Sequence, residues 1–346
     1  LELRKGWKVY YEKIFVKTSE KRKIGLPNSK SFYLPKMPRS SQDQEKKEIK
    51  ASSLTRVKRR VEKRFISLTT QPWRIFIMEA FLFSLTLGLG IFTAFRINEI
   101  LKFQKFTIPQ ISFGKFVIYF LLATLLIFLI SYFLKFKKGK RVFFKAIFIL
   151  AIFWGGALLL SYWIPDLLVL ILIGILIFWW LKKPSILIQD FCLILGIAGL
   201  GSILGLSLTP QIVVLLLIIF SIYDFIAVYK TKHMVKMAKE MIESKAILAL
   251  IVPPNISGFR ESLEKIEPGG EFLILGGGDI VFPLLLCASL IPFGILNSLI
   301  VAIFALIGLL VGFLLFFLQK VRQPIPALPS IALFSIIGFL ITKLIR

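Results

Sequence analysis

Two aspartates stand where acidic residues are costly. Asp224 lies in the run Ser221-Ile-Tyr-Asp-Phe-Ile-Ala-Val-Tyr229, and Asp279 in Leu275-Gly-Gly-Gly-Asp-Ile-Val-Phe-Pro283. Their neighbours are almost all apolar or small, and an ionisable group in such surroundings marks a functional site by default. Glu79 is a third acid, about one turn inside the first long apolar block. Two carboxylates that share one site cannot both ionise cheaply, so one keeps its proton. The ionised member can then take a proton from water, while the protonated member polarises a carbonyl and assists a leaving amine. That is the chemistry of amide hydrolysis, and it requires the two segments to meet.

The elements that must bring them together are membrane helices. The chain is 57% hydrophobic, and the apolar residues arrive in blocks of roughly twenty, the length that spans a bilayer core. Nine spans are expected, at 74–95, 115–134, 144–163, 166–181, 186–207, 211–230, 273–291, 294–318 and 328–345. The fourth is short and bracketed by Pro165 and Pro184. Residues 1–72 read instead as a basic cytoplasmic tail too polar to bury a core, although Ser40 to Arg64 has the composition of a charged helix. No early apolar core of signal-peptide type is present, so none is expected to be cleaved. Cys192 and Cys287 both fall inside apolar blocks, as free cysteines do. Gly201/Gly205 and Gly308/Gly312 have the spacing that lets helices approach closely.

The formal charge of +25 is not a nucleic-acid signature. Roughly half of the Lys and Arg precede Arg74, and much of the rest sits in short turns: Lys135 to Lys145, Lys182 with Lys183, Lys230 to Lys236, and Lys320 with Arg322. These turns alternate with ones near Pro165, Pro210 and Pro292 that carry no Lys or Arg, and only the first outside loop (Arg96, Lys102, Lys105) and the C-terminus (Lys343, Arg346) dilute the pattern. By the positive-inside rule the N-terminus is cytoplasmic and the C-terminus outside. Asp224 then lies six residues before Lys230, about 9 Å along a helix. Asp279 lies eight residues after Glu271, at similar depth if that stretch is helical. Span six runs inward and span seven outward, so both acids fall in the cytoplasmic half.

The glycines before Asp279 allow the backbone to bend and another chain to come near; close helix packing is the plainer reading. Pro324-Ile-Pro-Ala-Leu-Pro329 opens span nine on the same side, as a helix start or as part of the site. Together the pieces resemble the presenilin and signal peptide peptidase family of intramembrane aspartyl proteases. The resemblance rests on Tyr223-Asp224, Gly276-Gly277-Gly278-Asp279 and Pro326-Ala327-Leu328, in that order, and covers residues 73–346. The longer runs Tyr223 to Met234 and Gly278 to Pro283 look most like archaeal presenilin homologues. The resemblance implies an all-α nine-helix bundle of presenilin type. It implies Asp224 and Asp279 as catalytic residues, with Tyr223, Gly276, Gly277 and Gly278 shaping the site. Pro326, Ala327 and Leu328 would contact substrate. The implied partners are transmembrane proteins, signal-peptide remnants and the bilayer of the cell membrane, with no nucleic acid. No metal and no cofactor is called for.

Other chemistries find fewer residues. His233 is the sole histidine and lies past the end of span six, so a zinc site of the His-Glu-x-x-His type is excluded, as is a serine protease with a membrane-embedded histidine base. A prepilin-type peptidase shares Gly-x-Gly-Asp but usually carries Lys where Val281 stands. An ion-coupled transporter would show inverted repeats, and none is visible. Glu79 reads either as a pore or proton-path residue or, the favoured expectation, as snorkelling toward the interface near Arg74, and Asp166 and Asp190 read as helix starts. The connection 231–272 begins as a helix (Thr231 to Lys245). Ala246 to Pro254 and Glu271 to Leu275 then have strand character. These runs form either an interfacial flap on the bundle or strands that pair with an unwound substrate.

Overall fold

A polypeptide in hydrocarbon must satisfy its own backbone hydrogen bonds, so long apolar runs become helices. The computed structural model describes residues 72–106, 108–133, 137–230, 241–242, 247–266, 272–319 and 325–345, all within the compact unit 60–346. The basic tail before Pro72, the helix expected at Thr231 to Lys245 except for 241–242, and His233 lie outside them. Among the described residues there are nine α-helices. They are α1 Pro72–Phe103, α2 Phe113–Phe133, α3 Lys137–Leu160, α4 Asp166–Lys182, α5 Ile186–Leu206, α6 Pro210–Tyr229, α7 Gly277–Leu290, α8 Ile295–Leu318 and α9 Leu328–Ile345. Each falls on one of the nine apolar blocks. Six of them, α1, α3, α5, α6, α8 and α9, are long and apolar enough to cross a membrane.

The bundle is organised around α5 and α7. The α5 helix is the most enclosed of the six and packs against α1, α3, α4 and α7. The α7 helix touches α1, α5, α6, α8 and α9. Peripheral α4 is apolar all round. Only Val169, Ile173 and Trp180 are buried, on one stripe of the helix, while Leu167, Leu168, Leu170 and Ile171 are exposed where lipid would lie. Cys192 and Cys287 are free and buried in the core.

Helices without a hydrophobic drive between them pack through small residues. The Gly201/Gly205 pair does this between α5 and α7: a Cβ on Gly205 would sit 2.5 Å from Ala288 Cβ and 2.9 Å from Leu285 O. Gly308 does it between α8 and α9, where a Cβ would come within 2.7 Å of the Ile331 Cα. The tightest approach pairs α3 with α5, because a Cβ on Gly199 would overlap the Gly155 carbonyl.

Two expectations need correction. Residues 273–276 do not begin the seventh span. They form a strand, β2 (Leu273–Gly276), paired antiparallel with β1 (Ala249–Val252). The helix starts only at Gly277, because the backbone groups of Leu273 and Leu275 are used by β1 rather than by a helical turn. Asp190 is not a helix start either. Ser185 caps α5, its side chain accepting from the Ile188 amide at 3.5 Å, and Asp190 lies a full turn further in, only 2% exposed. Asp166 does open its helix, as the first residue of α4.

Gly199→Ala forces α3 away from a backbone carbonyl and should cost about 1–3 kcal/mol. Its thermal unfolding temperature in detergent should fall clearly below that of Gly174→Ala, where an added Cβ meets nothing within 4 Å. Equal values for the two variants would contradict this packing.

Candidate active site

Asp224 is on the inward stripe of α6. Val213, Leu216, Leu217, Asp224 and Ala227 are the buried residues after Pro210 at its head, at the three-and-four spacing of one helical face. Asp224 is 4% exposed, whereas its neighbours Tyr223 and Phe225 are 51% and 56% exposed. Tyr223 therefore lies about 100° round the helix from Asp224 and faces outward.

Asp279 is the third residue of α7. It is half-buried, and Gly278 beside it is exposed. At a helix start the first N–H groups have no intrahelical partner, and the Gly276 amide is directed at the Asp279 carboxylate. Gly276 must be small here: a Cβ would lie 3.1 Å from Asp279 Oδ2. Pro283, inside the helix, has no N–H to give the Asp279 carbonyl one turn back. The turn that carries the acid is thus loosened on both sides.

The two acids lie within electrostatic reach of one another. An aromatic contact helps hold them in step. Phe220, one turn before Asp224, stacks on Phe282, one turn after Asp279, with centroids 4.5 Å apart. This contact joins α6 and α7 within about one turn of each acid. Phe120 closes on the outer face of Phe220 at 5.2 Å.

The proline segment completes the arrangement. The Leu328 amide, at the head of α9, is directed at the Asp224 carboxylate. Pro326 and Leu328 are buried, Ala327 half-buried, and α9 packs on α6. Leu328 belongs to the main core cluster.

Sequence reasoning missed Glu79 in one respect. It does not snorkel. It is 5% exposed, its Oε2 has no hydrogen-bond partner among the described residues, and it lies within electrostatic reach of Asp279. Arg74 is exposed. The helical spacing from Ile75 to Glu79 to Leu82, all buried on α1, was the available signal. No cluster of three or more metal-ligating side chains occurs among the described residues.

A family model described as "Signal-peptide peptidase, presenilin aspartyl protease" matches residues 78–346. The chain belongs to this family of intramembrane aspartyl proteases. It is therefore a multi-pass membrane enzyme, and the prepilin-type and transporter readings fall away. The match begins at Met78 and so takes in Glu79 on α1 and every motif residue discussed above. A search of curated proteins finds no match. A solved presenilin family intramembrane aspartate protease is 21% identical, with a TM-score of 0.54, covering 80% of this chain and 100% of that one. A presenilin family intramembrane aspartate protease in a second crystal form gives 23% identity and a TM-score of 0.49, over 76% and 97% of the respective chains. The first of these likenesses supports a shared helical fold.

The glycines of this protease can be told apart. Gly276→Ala brings a methyl group to 3.1 Å from Asp279 Oδ2 and, on the role proposed for Asp279 below, should lower kcat by about tenfold or more. Gly278→Ala meets nothing nearer than Phe282 at 3.9 Å and should keep most activity. Kinetics on a transmembrane peptide would decide, and the reverse order would show that the Gly276 contact is irrelevant.

Proposed function

We propose that Asp224 and Asp279 are the catalytic dyad of this intramembrane protease and hydrolyse peptide bonds in transmembrane segments or signal-peptide remnants. The observation that carries the reading is that two acids from separate helices lie within electrostatic reach inside one apolar bundle. The pair works with one proton between its members. The ionised carboxylate removes a proton from water as the water oxygen attacks the scissile carbonyl carbon. The protonated carboxyl gives its proton to the carbonyl oxygen. Collapse of the tetrahedral species breaks the C–N bond: the amine nitrogen takes the proton that the first carboxylate removed from water, and a hydroxyl of the tetrahedral species returns its proton to the second, which restores the one-proton pair. One new carboxyl group and one new amine leave. The roles of the two acids belong to the pair. The Gly276 and Leu328 amides each orient one carboxylate. Residues Pro326 to Leu328 shape the site from the Asp224 side, while Tyr223 and Gly276 to Gly278 shape its rim.

A substrate helix must open before a carbonyl can be reached, and an unwound chain needs partners for its freed backbone groups. The outer edge of β2 offers them. The Gly277 amide donates to Leu248 O at 3.1 Å, so in this register residues 273 and 275 bond to β1. Ile274 and Gly276 therefore turn their backbone groups to the opposite edge, the one from which the Gly276 amide reaches Asp279. Among the described residues no strand covers that edge. A substrate added there lies beside the dyad.

In the same reading all nine helices cross the cell membrane, with the N-terminus cytoplasmic, the C-terminus outside, and residues 1–72 a basic tail on the cytoplasmic face. The Lys and Arg distribution supports this orientation.

Asp224→Asn and Asp279→Asn should each abolish cleavage of a transmembrane peptide by purified protein. Retained cleavage in either variant excludes the dyad. The wild-type rate should be bell-shaped in pH, because the pair fails when it holds two protons and again when it holds none. A flat profile from acid to mildly alkaline pH argues against a one-proton pair. Ile274→Pro deletes an outward N–H without touching the β1 ladder, and should raise KM several-fold, of the order expected for about one lost hydrogen bond. An unchanged KM removes β2 as the docking edge.

A further inference from the structure

The side chains of Gln189 and Asp190 are expensive and unexplained by the proteolytic chemistry. They follow one another on α5, the most enclosed long helix, and are 0% and 2% exposed. Burying an amide and a carboxyl at this depth is costly unless each is bound. Both are bound to the same object. Gln189 Nε2 donates to Ile247 O at 2.6 Å, and the Ile251 amide donates to Asp190 Oδ1 at 2.9 Å. The direction of the first bond is unambiguous. Trp180 Nε1, a donor only, gives its hydrogen to Gln189 Oε1 at 2.6 Å, which leaves the Gln189 NH2 for the Ile247 carbonyl. Trp180 is itself held, 2% exposed with the Phe148 ring 4.8 Å away.

The two tethers bracket β1. They also fall on one edge of it. The register that points 248, 250 and 252 at β2 turns the backbone groups of 247, 249 and 251 the other way. That outward edge is where Ile247 O and the Ile251 amide meet α5. The side chains of Ile247, Ala249 and Ile251 pack with Ile186, Leu263 and Ile266 in a small separate core, and the Ile186 amide bonds Glu261 O at 3.0 Å. So α5 holds β1, β1 holds β2, and the last residue of β2, Gly276, caps the helix that bears Asp279.

We propose that Gln189 and Asp190 are positioning residues that occupy the outer edge of β1, leaving β2 as the sole edge open to a substrate strand, and fix the register in which the scissile bond meets the dyad. This inference rests on the dyad reading for its catalytic readout. A ribbon released from α5 has freedom to slide or tilt against the bundle. Strand pairing slips preferentially by two residues, since a one-residue slip turns every side chain to the wrong face. Loss of the tethers should therefore appear as cleavage at additional bonds, with the principal bond cut more slowly. Binding itself, which uses β2, changes little.

The experiment uses the full chain in lipid nanodiscs and a synthetic transmembrane peptide. Product ends are read by mass spectrometry, and backbone hydrogen exchange is followed over 247–252 and 273–277. Asp190→Ala should spread cleavage over neighbouring bonds and lower kcat at the main bond about tenfold, the order expected for a misplaced reacting group, with KM within about twofold; its β1 amides should exchange faster. Asp190→Asn keeps an acceptor oxygen for the Ile251 amide and should restore the wild-type product ends. Should Asp190→Ala fail to fold, Gln189→Ala frees the other end of the strand and is read in the same way. Unchanged product ends together with unchanged exchange overturn the proposal. If the wild type does not cleave, or Asp279→Asn still does, the dyad reading fails separately. Exchange alone then judges the tethers, and unaltered protection of β1 in Asp190→Ala sinks them.

Discussion

A carboxylate surrounded by hydrocarbon has nowhere to place its charge except beside groups the protein itself provides. This constraint governs the centre of the bundle. Asp224 and Asp279 come from helices on either side of a long connection, and the neighbours that temper them there are backbone amides and each other. Each amide comes from an irregular point. One is the strand-to-helix junction at Gly276, and the other the head of α9 at Leu328. Irregular backbone at membrane depth is tolerated when it is enclosed by protein or lines a wet cavity, and here it is what reaches the acids. Glu79 adds a third carboxyl within range of Asp279, so α1 takes part in the charge balance of the centre as well as in its walls.

Around that centre, close approach does the rest. Glycines on α5 and α8 admit neighbouring helices to backbone distance, and α7, though only 14 residues long, touches five others. A short helix is a consequence of the strand before it. A strand rises about 3.3 Å per residue and a helix 1.5 Å, so β2 carries the chain inward with few residues and delivers Asp279 in the first turn. A continuous helix from 273 would have placed the acid in a second turn, with its amide neighbours used up by helical bonds. The β1–β2 ribbon is in turn fastened to α5 by a buried amide and a buried carboxyl. Gln189 and Asp190 thus serve the backbone of the ribbon and not that of their own helix.

Nine apolar blocks, the paired acids and the glycine and proline runs around them were all determined by the sequence itself. Lipid demands contiguous apolar residues, and an acid inside them is conspicuous; these are local properties of the chain. The family followed from three short motifs in order. Pairing was not local. The strand character of Ala246 to Pro254 and of Glu271 to Leu275 was legible, but that the two runs pair with each other, and that the seventh span therefore starts only at Gly277, was decided by tertiary structure. Asp190 read as a helix start because it stands near the end of an apolar block, and Glu79 as an interfacial residue because Arg74 is near in sequence. Whether a polar side chain faces lipid, water or another chain depends on helix rotation, and rotation is set by every neighbour at once. The tertiary structure alone settled those faces, because hydrogen-bond partners such as Ile251 for Asp190 lie 61 residues away along the chain.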